Sequence, residues 1–326
     1  MKNLKIVGTG TALPPKVLTN SDLEKMVDTS DEWITGRTGI KERRIAADDV
    51  STSDLCAEAL RNACADADLE PGALDAIIVG TSTTDTLFPS TACWVQGKLG
   101  LSGPAAFDVS AGCSGFLYGL ELASALVSSG TARRVGVVGG EVMSKVVNWK
   151  DRSTCVLFGD GAGAAVVTQT KGDSGVLASN WGADGTLAPI LYQPAGGTQK
   201  PATHATVENL DHTVHMEGST VFRHAVKAMS RAATDAMKEA EVGPDDVDLF
   251  IPHQANIRIM EVAREKAGVS KDKMYMVVQK YGNMSAATIP VAMHEARMEG
   301  RIKDGSVVVM TAFGTGFTWG GTVLRW

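Results

Sequence analysis

The chain lacks the marks of several large classes of protein. Its 326 residues contain no apolar run long enough to span a bilayer. Positive charge is not in excess: the formal net charge of -6 excludes a general nucleic-acid binder and confines any use of charge to local patches. Cysteines are few, and Cys56, Cys64, Cys93, Cys113 and Cys155 form an odd set without paired spacing. Such a set argues against a disulfide framework and suits a reducing cytoplasm, the expected location. No cysteine and histidine cluster has zinc-ligand spacing, so no metal is expected. The opening Met1-Lys2-Asn3-Leu4-Lys5 lacks the apolar core and cleavage site of a signal peptide, and reads as the lead-in to a strand. A composition of 44% hydrophobic and 21% charged residues supplies a full core and excludes disorder.

What is present centres on Asp108-Val109-Ser110-Ala111-Gly112-Cys113-Ser114-Gly115-Phe116. A strand from Ala105 to Ser110 stops at small residues, and a helical pattern with Phe116, Leu117, Leu120 and Ala123 follows. This places Cys113 near a helix start, where free backbone N–H groups and the helix dipole favour a thiolate. Locally, a nucleophile and a buried structural cysteine fit equally well. Trp33, close to arginines, can stack on a flat ring or pack on its own domain. Phe158-Gly159-Asp160-Gly161-Ala162-Gly163-Ala164 has G-x-G-x-G spacing before a strand, which speaks against a dinucleotide loop and for close backbone approach in a core. Residues 171 to 215 read as irregular and polar, with His204, His212 and His215 solvated.

The second half repeats the first. A shift of 173 residues carries the strand at Leu74–Gly80 onto Val247–His253, Cys113 onto Ala286 in another small-residue turn, and Arg134–Val138 onto Val307–Thr311. The pattern predicts an α/β fold of two β-α-β-α-β halves related by a pseudo-twofold axis, 1–170 and 171–326. Such an axis brings Cys113, His253 at a strand end and Asn283 beside the second turn toward one cavity. His253 alone also fits a core histidine, but Pro252-His253-Gln254-Ala255-Asn256 is polar for a strand end and favours a site.

These segments resemble those of the β-ketoacyl-acyl carrier protein synthase III family, in the thiolase superfamily. The resemblance rests on Asp28–Ile34, Arg37–Ile40, Phe88–Cys93, Ala111–Phe116, Phe158–Ala164, Pro252–Asn256, Tyr281–Asn283 and Phe313–Gly320. It implies a duplicated thiolase-like fold of five α-β-α-β-α layers and an acyltransferase that needs no cofactor. Cys113 would take the acyl group of an acyl-coenzyme A, acetyl-coenzyme A above all. Decarboxylation of malonyl-acyl carrier protein would then give a carbanion that attacks the acyl-cysteine. The implied catalytic set is Cys113, His253 and Asn283, with an oxyanion hole at the N–H groups of Cys113 and Thr315. Coenzyme A would be held by Trp33, Arg37, Arg152 and Asn256, and the acyl pocket lined by Met143, Phe158 and, across a homodimer interface, Phe88. Arg258 and Arg223 would dock the acidic carrier protein. Thr315 stands where the family often has glycine or alanine, Met284 where threonine is common, and the 185–215 loop is long and expected to border the acyl pocket. An acyltransferase of a secondary-metabolite pathway and a non-catalytic carrier-binding subunit are the competing readings. The intact His253 and Asn283 pair argues against the first, and Cys113 against the second.

Overall fold

The computed structural model describes residues 4–170 and 172–326, so the reading of Met1-Lys2-Asn3 lies outside the described residues. Thirteen strands are described in chain order: β1 (Leu4–Ala12), β2 (Lys16–Thr19), β3 (Glu42–Ile45), β4 (Ala76–Gly80), β5 (Ala105–Val109), β6 (Arg134–Val142), β7 (Asp160–Gln169), β8 (Gly175–Ala183), β9 (Leu191–Tyr192), β10 (His215–Met216), β11 (Leu249–Pro252), β12 (Val307–Gly314) and β13 (Thr318–Arg325). One sheet has the order β1-β7-β6-β4-β5, the other β11-β12-β13-β8; β2 with β3 and β9 with β10 form small ribbons.

The layers follow from which faces are apolar. Helices Gly115–Ser128 and Thr288–Met298 touch strands of both sheets and form the middle layer. Phe116, Leu120, Ile289 and Met293 are buried there between the strands of the two sheets. The helix Thr52–Asp66 covers the outer face of the first sheet and Gly218–Glu239 that of the second. This is the five-layer α/β arrangement expected.

The 173-residue shift holds residue for residue. It carries β4 onto β11 and His253, β6 onto β12 and Thr315, and the 3-10 turn Gly112–Ser114 onto the 3-10 turn Ser285–Ala287. One element breaks the repeat. The counterpart of β5 is the helical turn Val278–Tyr281, so the second sheet lacks that strand and the two halves are not identical β-α-β-α-β units. The 171–215 segment also departs from its irregular reading. Its small and polar residues conceal β8, which pairs along the whole of β13 and gets its order from that neighbour. A helix at His204–Glu208 follows, and His212 Nε2 sits 2.9 Å from Thr206 Oγ1.

The glycines of the Phe158–Ala164 motif serve close approach. A Cβ on Gly159 would stand 2.5 Å from the Tyr281 carbonyl oxygen, and one on Gly163 2.7 Å from the Val291 nitrogen. β7 thus lies directly against the backbone of half two.

Candidate active site

β5 ends at Val109, and the 3-10 turn Gly112–Ser114 runs straight into the helix Gly115–Ser128. Cys113 is the middle residue of that turn. Gly112 has φ +54°. A Cβ added there would lie 2.4 Å from the backbone nitrogen of Thr315, and one on Gly314 would lie 2.6 Å from that of Cys113. The two backbones that carry the expected oxyanion donors are therefore in direct contact. The Thr318 hydroxyl donates to the Ala111 carbonyl at 2.7 Å and fastens them. The β-branched Thr315 is half-buried here. Burial pushes the Cys113 thiol up to about 12, the Ser285 hydroxyl opposing the rise and the Glu141 carboxyl adding to it. The resting group is thus a thiol, and burial outweighs the thiolate preference expected of a helix start.

His253 follows β11, and its N–H donates to the Thr311 carbonyl at 2.7 Å, extending the ladder by one residue. The ring is fully buried and meets Phe313 edge-on, centroids 5.5 Å apart. Burial lowers its pKa to about 3, so the imidazole is neutral. Nδ1 lies 2.6 Å from Thr288 Oγ1, and Nε2 is buried without a partner.

Asn283 is pinned by half one. Its N–H donates to the Leu157 carbonyl at 2.8 Å, and its carbonyl accepts the Gly159 N–H at 3.1 Å. Its side-chain Oδ1 accepts the Ser285 N–H at 2.8 Å, which leaves the amide nitrogen as the end turned to the cleft. Ser285 holds φ +46°, a conformation that costs a non-glycine residue about 1–3 kcal/mol.

A cleft of about 660 Å³ is lined by Cys113, Asn283, Trp33, Arg37, Asn256, Arg258 and Arg223; His253 and Arg152 are not in its lining, but Phe313 and Trp33, which they pack against, are. Arg152 and Arg37 lie over the Trp33 ring at 4.9 and 5.1 Å. Asn256 caps the helix Ile257–Lys266, its Oδ1 accepting the Ile259 N–H at 3.0 Å. Arg258 donates from Nε to the Arg37 carbonyl at 2.9 Å. A second cavity of about 320 Å³ reaches Cys113, with Met143 and Phe158 in its lining beside Leu191, Gln193 and Val214 of the 185–215 loop. Phe88 is not part of it; the side chain is 85% exposed beside Leu87 at 78%.

Sequence reading missed Ser285, Thr288 and Glu141. The buried Glu141 accepts N–H bonds from Ser82 and Thr83, the latter at 2.9 Å, and its acidity is weakened by burial. The signal for Thr288 was within reach: the shift that maps Gly80 onto His253 maps Gly115 onto Thr288.

The family model described as 3-oxoacyl-[acyl-carrier-protein] synthase III matches residues 107–185, and its C-terminal companion matches 237–326. A β-ketoacyl-[acyl-carrier-protein] synthase III of Caldanaerobacter subterraneus subsp. tengcongensis is 55% identical, over 98% of this chain and 97% of its own. The crystal structure of 3-oxoacyl-[acyl-carrier-protein] synthase III from Aquifex aeolicus is 47% identical, covers 99% and 100% of the two chains, and superposes with a TM-score of 0.91. A priming β-ketosynthase from a polyketide pathway is 32% identical over 99% of this chain and 96% of its own, TM-score 0.91. With this site on this fold, the chain belongs to the β-ketoacyl-acyl carrier protein synthase III family of thiolase-fold condensing acyltransferases.

Proposed function

We infer that the protein carries out the initiating condensation of fatty acid synthesis in two steps on one cleft. The observation that carries this reading is the meeting of Cys113 from one half with Asn283 from the other in the lining of that cleft, with a neutral, buried His253 packed against Phe313 of the same lining. In the first step Cys113 Sγ bonds the carbonyl carbon of an acyl-coenzyme A, acetyl-coenzyme A being the expected donor. The carbon–sulfur bond to coenzyme A breaks, and the thiol proton ends on the departing sulfur. The negative oxygen formed on the way lies against the N–H groups of Cys113 and Thr315. In the second step malonyl-acyl carrier protein loses carbon dioxide, and the electron pair becomes an enolate. Asn283 and His253 serve its oxygen with uncharged donors. The enolate carbon bonds the acyl carbon, the bond from that carbon to Cys113 Sγ breaks with the pair staying on sulfur, the thiolate regains a proton from solvent, and a 3-oxoacyl-acyl carrier protein leaves.

The walls suit these substrates. Coenzyme A enters along Trp33, Arg37 and Asn256; its adenine, placed between Trp33 and Arg152, lifts the Arg152 guanidinium off the ring it now covers. Arg258 and Arg223 stand exposed at the rim for an acidic carrier protein. The 320 Å³ cavity takes the acyl chain. β5 is the open edge of its sheet, and the exposed Leu87 and Phe88 protrude from the loop after β4. Both features suit a homodimer in which Phe88 enters the partner's acyl pocket. The five free cysteines suit a reducing cytoplasm, the two sheet halves divide near residue 171, and the reaction as written needs no cofactor.

A panel of acyl-coenzyme A primers with malonyl-acyl carrier protein, read by mass spectrometry, tests the reading. A 3-oxoacyl-carrier protein two carbons longer than the primer is expected. Acylation of Cys113 without that product overturns condensation and leaves acyl transfer as in the secondary-metabolite alternative.

A further inference from the structure

His253 and Thr288 occupy the positions that Gly80 and Gly115 hold in half one. There the two glycines touch: a Cβ built on Gly80 would stand 2.5 Å from the Gly115 carbonyl carbon. In half two the same close pair bears side chains, and the contact becomes a hydrogen bond of 2.6 Å between His253 Nδ1 and Thr288 Oγ1. Thr288 Oγ1 also lies 3.0 Å from the Ser285 carbonyl oxygen. A hydroxyl has one proton to give. The Ser285 carbonyl already accepts the backbone N–H of Thr288, so it does not require the hydroxyl proton. A separation of 2.6 Å suits a hydroxyl donor and is short for an N–H donor. The proton therefore points at Nδ1. A neutral imidazole that accepts at Nδ1 carries its own proton at Nε2. Nε2 is the buried atom left without a partner.

We propose that Thr288 is a positioning residue for the condensation step, its hydroxyl holding His253 in the tautomer that presents Nε2–H to the enolate oxygen. This rests on the two-step reading above. In decarboxylation the bond to the carboxylate breaks, carbon dioxide leaves and the pair settles on the enolate oxygen. Nε2–H and the Asn283 amide hold that oxygen without giving up a proton. The turn 283–288 thus sets both donors: the Ser285 N–H orients the amide, and the Thr288 O–H orients the ring. In this tautomer Nε2 has no lone pair for the Cys113 proton, so His253 is not the base of the acylation step.

Two measurements test the assignment. Nitrogen-15 NMR of the resting protein with labelled histidine is expected to show His253 protonated at Nε2 and bare at Nδ1; the opposite pattern overturns it. Thr288→Val keeps the shape and removes the hydroxyl. Malonyl decarboxylation is expected to fall roughly 100-fold, the usual effect of one lost donor, while acyl-Cys113 formation stays within about twofold. Thr288→Ser restores the hydroxyl and is expected to return decarboxylation and the wild-type nitrogen shifts. Equal loss in both steps, or full decarboxylation by Thr288→Val, overturns the role. If the unaltered protein does not decarboxylate malonyl-acyl carrier protein at all, the two-step reading falls, and the nitrogen shifts alone decide the tautomer.

Discussion

The turns Gly112–Ser114 and Ser285–Ala287 are the same piece of backbone put to two uses. Each opens a middle-layer helix, and each begins with a residue at positive φ, +54° at Gly112 and +46° at Ser285. In half one the first residue is glycine because the Thr315 backbone fills the space where a side chain would stand. That leaves the next residue, Cys113, against the oxyanion donors. In half two a buried serine takes the strained conformation, its N–H donates to Asn283 Oδ1, and the nearby Thr288 meets His253 Nδ1. In the function proposed above, one copy of the turn carries the nucleophile and the other orients the electrophilic donors. A duplicated fold can thus separate two chemical tasks without a new scaffold.

Removing the nucleophile separates the halves most completely. Cys113→Ala is expected to abolish the acyl adduct, read by peptide mass spectrometry, while leaving residual malonyl decarboxylation from the intact half-two donors. Next come those donors. His253→Ala and Asn283→Ala are each expected to cost roughly 100- to 1000-fold in condensation, about 3–4 kcal/mol, with the adduct on Cys113 still forming. The double variant should lose less than the two single losses multiplied, because both serve one oxygen. If His253→Ala blocked the adduct as fully as Cys113→Ala does, the division of labour would be wrong.

Exchanging the turn residues compares the halves directly. Gly112→Ser is expected to destabilise by about 1–3 kcal/mol through overpacking against Thr315, seen as a fall in Tm. Ser285→Gly relieves the strained φ and is expected to keep the unfolding free energy within roughly 1 kcal/mol of the parent. Acidification probes half two. Burial holds His253 at about 3 against 6.5 in the unfolded chain. Between these values the unfolded chain binds a proton that the folded one does not, so stability is full above 6.5 and declines as pH falls toward 3. Thermal melts of His253→Gln across this window should show a shallower decline. The smallest effect is at the rim. Arg258→Glu is expected to raise KM for malonyl-acyl carrier protein roughly tenfold at low salt and less at high salt. Self-acylation at saturating acyl-coenzyme A should hold, and an equal loss in both steps would argue against docking.

The repeat was legible because apolar strands and small-residue turns recur at one spacing; hence β4 and β11, Cys113 in its turn and His253 at a strand end followed from residues alone. β8 was not legible, since Gly175, Ser179, Asn180 and Gly182 favour no strand, and the order comes from β13 beside them. The thiol state of Cys113 was also hidden: helix position is written locally, but the burial that raises the thiol, and the opposing Ser285 and reinforcing Glu141 side chains, come from the folded chain. Thr288 escaped notice for the opposite reason. Its hydroxyl looks like an ordinary helix-start residue until the close pairing of Gly80 and Gly115 shows which partner that position faces.

The unequal sheets have a consequence for growth into larger assemblies. β5 stands at one margin of its sheet with no strand beyond it, whereas half two turns into the helix Val278–Tyr281 at the matching place. There Met274 bridges to Phe250 and the Tyr275 N–H donates to the Phe250 carbonyl at 2.9 Å, so the β11 margin is already occupied. A perfectly doubled molecule would offer such a margin twice, and copies joining through both would add end to end as a fibre. With the second margin occupied, copies that paired through β5 would have one such margin each to offer, and association by that route would stop at two.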